Sequence, residues 1–149
     1  MNNIVSAVGV WFYSRSTRRY LYLLRNDTKN SECWSLPGGK SELGESLFET
    51  LKRECTEELG AMPAYLKLIP IDKFTTADGK FEYNTFVAVV DDEFIPTLNH
   101  EHFGYAWIDS SIIPKPLHKG LWSTVNFDAV QSKISSIEQA LQLQAVDIF

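Results

Sequence analysis

Glu54, Glu57 and Glu58 fall within five residues of one another. They sit in a segment, Ser46 to Leu59, whose pattern predicts a helix. Ser46 with Glu49 fits a capping box, and Gly60 fits the C-terminal stop. At helical spacing the three acids share an arc of roughly 100°. Leu47, Phe48, Leu51, Cys55 and Leu59 occupy the adjoining arc, with Glu49, Lys52 and Thr56 beyond it towards solvent. Glu58 overlaps the apolar side, and the other two acids run along its edge. Like charges so placed cost about 0.2–0.5 kcal/mol per pair even when exposed, and partly buried carboxylates cost more. Arg53 alone cannot neutralise three acids. A hard divalent cation with oxygen ligands is the natural complement, and Mg²⁺ fits best because it keeps waters and bridges to phosphates. On this geometry alone, a charged face paired with Lys or Arg from elsewhere is the alternative.

The charge distribution adds a partner for such an ion. Residues 14–30 carry Arg15, Arg18, Arg19, Arg25 and Lys29 against Asp27, five against one, a net +4. Residues 42–58 carry six glutamates against Lys52 and Arg53, a net −4. An acidic cluster beside a basic segment suits a metal ion plus a phosphorylated ligand; two solvated surfaces that never meet would give the same counts.

The elements that must position these groups follow from pattern. Ile4–Tyr13 and Tyr20–Leu24 read as strands of a hairpin turned by Ser14–Arg19. Asn26–Glu32 reads as a polar loop, and Leu36-Pro37-Gly38-Gly39 as a break. Tyr65–Phe74 and Lys80–Val90 are strand-like and joined through Asp78-Gly79, a hairpin-turn signal. Gly104–Ile108 is a short strand, and Pro114, Pro116 and Gly120 mark a loop. Phe127, Val130, Ile134, Ile137 and Leu141 recur every three or four residues, which predicts a closing amphipathic helix. Strands before, between and after two helices imply a mixed sheet with helices on its faces.

Composition bounds the classes. The chain has 149 residues, 44% hydrophobic and 22% charged, enough for one domain with its own core. A net charge of −5 makes a general nucleic-acid coat unfavourable. Cys33 and Cys55 make neither a disulfide framework nor a CxxC zinc pair. The first residues lack a signal-peptide pattern, and no apolar run approaches a membrane span. The expectation is a single cytoplasmic domain over residues 1–149, with no nucleic-acid or membrane partner.

The stretch from Gly39 to Ala61 resembles the signature of Nudix hydrolases. It reads glycine, five residues, Glu45, seven residues, Arg53-Glu54-Cys55, one residue, Glu57-Glu58, one residue, Gly60-Ala61, 23 residues in all. Every fixed position matches. Cys55 and Ala61 are small where the pattern has bulky apolar residues, but those positions pack rather than react. The order of strands and the final helix also suit that fold. The resemblance therefore implies an α/β protein of the α+β type, a Nudix-like α/β/α sandwich with a mixed β-sheet between helices.

It also implies an activity. Such enzymes cleave a nucleoside diphosphate linked to a moiety X, water attacking phosphorus with divalent metal, to give a nucleoside monophosphate and phospho-X. The resemblance makes Glu54, Glu57 and Glu58 ligands of Mg²⁺ or Mn²⁺, with the Gly38 carbonyl as a further one. Arg53 and Glu45 would pair to brace loop against helix, with Gly39 and Gly60 in support. The catalytic set is then Glu54, Glu57, Glu58, Arg53 and Glu101, and the base is Glu57, Glu101 or His102. The segment from Leu98 to Trp107 resembles one in GDP-mannose hydrolases of the family, which use a loop histidine to attack carbon. That offers His102 as an alternative base for C–O cleavage, although their signature is degraded and this one is intact. A nucleotide-sensing module without catalysis is the reading from another class, and the complete acid set argues against it.

Substrate choice is less legible. Trp34, Phe74, Phe81, Tyr83, Phe103 and Trp122 offer flat surfaces for a base, with Phe74 and Phe103 preferred and Arg25 for phosphate. The segment from Leu117 through Lys119 to Trp122 is a candidate lid. The partner expected is a small-molecule nucleotide. Homodimers are common in the family.

Overall fold

The computed structural model describes residues 4–26, 32–118, 121 and 128–147. Asp27, Lys29, Lys119, Gly120, Trp122 and Phe127 lie outside the described residues. The strands are β1 (Val5–Ser14), β2 (Arg19–Arg25), β3 (Trp34–Ser35), β4 (Gly38–Lys40), β5 (Lys67–Thr75), β6 (Phe81–Val90) and β7 (His102–Asp109). Helix α1 (Leu47–Leu59) precedes β5, and α2 (Asp128–Asp147) follows β7. All seven strands share one mixed sheet, in which β1 and β6 are parallel and the other pairs antiparallel.

Alternation in β1 builds both layers. Val8, Val10 and Phe12 face Leu51, Cys55 and Leu59 of α1. Trp11 and Tyr13 face the other way, towards Val130 and Leu141 of α2. The helices thus cover opposite faces, and the expected sandwich is present. The Tyr20 hydroxyl donates to Glu138 of α2 at 2.8 Å, a polar tie across an otherwise apolar contact. No described helix is long and apolar enough to cross a membrane.

The sheet forks. β1 and β2 pair only beside their hairpin, at Tyr13↔Tyr20 and Ser14↔Arg19. Beyond that they part, and the following segment wedges between them. β3 lies along β2 through Leu23↔Ser35 and Leu24↔Trp34, and β4 lies along β1 through Ala7↔Lys40, Val8↔Gly39 and Gly9↔Gly38. At the corner the Pro37 carbonyl accepts from the Val10 amide at 3.0 Å. The expected Pro-Gly-Gly break is therefore a corner leading into a strand. Gly38 has a φ of 148°, and a Cβ there would run into the Val8 carbonyl oxygen.

Helix α1 starts and stops as its sequence predicts. Ser46 Oγ accepts from the Glu49 amide at 3.1 Å and the Glu49 carboxylate accepts from the Ser46 amide at 3.0 Å. Such a cap contributes about 1 kcal/mol. Gly60 closes the helix at φ 90°. Two positions differ from the helical arc. Phe48 lies in the first turn, 62% exposed, with its ring 6.1 Å from that of Phe86. Thr50 is wholly buried, its hydroxyl satisfied among Ser41, Glu45 and the Ser46 carbonyl.

Strand β5 carries a bulge. Its register passes from Pro70↔Phe86 to Asp72↔Thr85, leaving Ile71 as the extra residue, and Lys133 of α2 donates to the Ile71 carbonyl at 3.0 Å. Strand β7 begins at His102, two residues before the expected start, because Arg25 pairs with His102 past an irregularity after Leu24. The proline loop adds to the β3 edge: Trp34 donates to Pro116 and receives the amide of His118, both at 2.8 Å.

Candidate active site

Three successive residues of β4 are each met by a residue of α1. Arg53 donates to the Lys40 carbonyl at 3.0 Å. The Glu54 carboxylate lies where a Cβ on Gly39 would come within 2.6 Å of it. The Gly38 amide donates to Glu58 Oε2 at 3.1 Å. The Gly-Gly pair thus lets the helix bring its acids against the strand.

Arg53 braces this contact. Its Nε lies 2.8 Å from Glu45 Oε2, its Nη2 3.0 Å from Glu45 Oε1, and its Nη1 2.9 Å from Glu54. The Arg53 guanidinium, helped by the Glu42 amide, holds the Glu45 carboxyl down at about 2. A lysine carries the charge without the fork that reaches two carboxylates and a carbonyl at once. Arg53→Lys should therefore lower kcat by about 10- to 100-fold, the usual cost of losing a partner that orients a site. Steady-state kinetics beside a melting curve test this; unchanged kcat in a folded variant would mean the brace does nothing for turnover.

Glu58 is the buried acid, 3% exposed. Burial pushes its carboxyl up to about 9, the Gly38 N–H opposes, and the negative charges of Glu54 and Glu101 add to the rise. His102 Nε2 lies 3.7 Å from Glu58 Oε1. One ligand atom each from Glu58, Glu101 and His102 fall within 4.8 Å of one another. Glu101 reaches this place from a loop tied to the end of β2. The Asn26 amide donates to the Glu101 carbonyl at 2.8 Å, the Asn26 side chain donates to the His100 carbonyl at 3.0 Å, and Asn99 Oδ1 accepts from the Glu101 amide at 3.0 Å.

The three helical acids are unequally covered, and Glu54 stands between Arg53 and Glu58. Glu54 sits against Arg53, and burial raises its carboxyl while that guanidinium opposes. The Glu57 side chain is 51% exposed, 3.7 Å from Arg53. It is Glu58 that gathers with Glu101 and His102. Asn26 and Asn99 complete the support of this loop. The Asn99-His100-Glu101 spacing carries an Asx-turn signal, whereas nothing local marks Asn26.

The donor set suits a divalent cation. Two carboxylates and an imidazole are the ligands that Mn²⁺ accepts and, for the oxygens, that Mg²⁺ prefers. A carboxylate as buried as Glu58 needs either a proton or a cation to be tolerated.

Beside the cluster opens a cavity of about 650 Å³, within the range of small-molecule sites. Gly38 and Gly39 form its near edge, and Arg25, Lys40, Asp72, Phe74, Phe81 and Tyr83 are among its walls. Tyr83 leans over Gly9, where a Cβ would strike its hydroxyl. Burial and the Glu58 charge push the Tyr83 phenol up to about 12, with Arg25 opposing. Arg25 and Phe74 both line this cavity. Phe103 does not: neighbours on a strand point to opposite faces, so as His102 turns in, Phe103 turns out and is 57% exposed.

The NUDIX domain family model matches residues 4–126 of this chain. NudI, a nucleoside triphosphatase of Escherichia coli O17:K52:H18, is 36% identical over 86 residues, 50% of this chain and 60% of that relative, so the match spans less than two thirds of its length. The NUDIX domain of Shewanella oneidensis NrtR, solved in complex with ADP ribose, superposes with a TM-score of 0.69 at 15% identity, over 90% of each chain. A MutT NUDIX hydrolase from Burkholderia pseudomallei gives 0.62 at 22% identity, over 85% of this chain and 95% of that one. These structural likenesses speak for the fold, and the family match covers most of the sequence: the chain belongs to the NUDIX family of hydrolases.

Proposed function

We propose that this protein hydrolyses a nucleoside diphosphate linked to a second moiety, with water attacking phosphorus to release a nucleoside monophosphate and phospho-X. The observation that carries the reading is the Glu58–Glu101–His102 cluster, two members buried and Glu101 open to solvent, at the edge of a cavity that also holds cationic and aromatic side chains. Relatives support the substrate class: one is a nucleoside triphosphatase and another was solved with ADP ribose.

Glu58, with Glu54, Glu57, His102 and the Gly38 carbonyl around it, would hold Mg²⁺ or Mn²⁺. Bound there, the ion supplies charge neutralisation on the diphosphate and a lower pKa for water. The chain's own groups do the rest. Arg25 and Lys40 bind phosphate oxygens, and Phe74, Phe81 and Tyr83 flank the base. Arg53 keeps Glu54 and the Gly38–Gly39 strand in register. Glu101 is solvent-exposed and takes the proton from the attacking water. The His102 side chain is 3% exposed and turned to Glu58, which disfavours the alternative in which it activates water for attack at carbon.

The test is a phosphorus NMR screen in ¹⁸O-enriched water with Mg²⁺. Its panel holds ADP-ribose, dinucleoside polyphosphates, GDP- and UDP-sugars and nucleoside triphosphates. Cleavage with label in a phosphate product is expected. Label in the sugar would replace this reading with attack at carbon, and silence across the panel with ligand binding intact would make the protein a sensor.

A further inference from the structure

We propose that Asp72 reads the edge of the base and selects one with two adjacent N–H donors, the guanine type. This rests on the nucleotide substrate class proposed above. Gly38, Gly9, Thr85 and Asp72 are successive cross-strand partners on β4, β1, β6 and β5. At about 4.8 Å per strand, Asp72 stands roughly 14 Å from Gly38, and Gly38 touches Glu58. Lys40, Ala7, Tyr83 and Phe74 form a second row on the same face. Between the two ends the β1 floor is only Gly9 and Ala7, and the Tyr83 hydroxyl covers Gly9. One end of the cavity is therefore cationic and next to the acid cluster, and the other is aromatic and closed by Asp72.

Asp72 owes its direction to the bulge. Ile71 is buried on the α2 face, so strict alternation would turn Asp72 to the α1 face. The extra residue lets Ile71, Asp72 and Phe74 all serve the cavity side, and Lys133 holds the bulged carbonyl. Among the described residues the Asp72 carboxylate makes no hydrogen bond or ion pair, and its neighbour Lys73 is taken by Glu82 at 3.3 Å. An ionised carboxylate only accepts hydrogen bonds. Its partner must then bring donors, and guanine offers N1–H and the 2-amino group side by side, matched to two oxygens. Adenine and cytosine set an acceptor beside their amine, and uracil flanks one N–H with two carbonyls. A ribose diol also donates twice, but Phe74 beside Asp72 is a stacking surface, and the distance from the cluster suits the far end of a nucleotide.

Calorimetry with GMP, IMP, AMP, UMP and 2′-deoxy-GMP in EDTA tests this without cation or turnover. GMP and 2′-deoxy-GMP should bind about 10- to 100-fold tighter than the other three, as a bidentate pair contributes. Asp72→Asn should erase that gap by weakening the two guanine nucleotides alone; a melting curve verifies its fold. Phe74→Ala should weaken all five together. Equal binding throughout, no binding, a gap that survives Asp72→Asn, or a loss confined to GMP over 2′-deoxy-GMP would overturn the assignment, the last in favour of a ribose contact. Base discrimination in a protein that hydrolyses nothing would instead overturn the hydrolysis reading and leave this one standing.

Discussion

Glu58→Gln should lose hydrolysis by about 1,000-fold, about 4 kcal/mol in the barrier, while melting higher than wild type in EDTA. The two effects have opposite signs because one carboxylate serves both states. Glutamine keeps the volume and an oxygen to accept from the Gly38 amide. It discards the charge whose burial pushes the carboxyl from 4.5 up to about 9. Between those values the folded protein holds a proton that the unfolded chain has released. Stability of the cation-free wild type is then full below the window and falls as pH rises through it. The variant should lose that slope, and Mn²⁺ should raise the melting temperature of wild type but not of the variant. Melting curves at pH 5, 7 and 9 with and without Mn²⁺, beside kcat, decide the matter. Turnover equal to wild type, or a slope unchanged in the variant, would remove Glu58 from the centre of the site.

Gly38→Ala should be severely damaging for a single added methyl. The residue has a φ of 148°, and its new Cβ would meet main chain, the Val8 carbonyl, which cannot swing aside as a side chain can. A cost of about 3 kcal/mol or more is expected, or about 10 °C in melting temperature at this chain length. The amide that holds Glu58 would move with it, so the residual folded fraction should also turn over poorly. A drop of under 2 °C, roughly half a kcal/mol, would show that β4 yields easily and that the wedge is loosely held.

What the sequence declared and what it concealed have separate physical causes. Helix α1 was legible because its period, its Ser46–Glu49 cap and its Gly60 stop are all local, and the Nudix signature lies in the same contiguous stretch. The hairpin was legible too, but its turn chemistry says nothing of how far the pairing runs, so the parting of β1 from β2 after two pairs was hidden. Ile71 gives no local sign of being an extra residue; its register is set by β6 and by Lys133, 62 positions away. Nothing local marks Asp72 either, since its direction depends on that bulge. The helical angle also separates Glu58, which overlaps the apolar arc and is buried, from Glu57, which lies at its edge and is half exposed. Phe103 has the type of a stacking residue, but strand parity turns it outward, one position from His102.

The wedge of β3 and β4 in the fork settles a question of access. Opening the interior of a sheet ordinarily strands amides and carbonyls, each of which must find water or a new partner. Here new partners are already in place along the fork in the folded chain. Below the hairpin β1 has given one edge to β4, and β2 is paired to β3 on one side and β7 on the other. A ligand entering beside Gly38 and Gly39 therefore breaks no ladder, and the traffic of substrate and product is uncoupled from the integrity of the sheet.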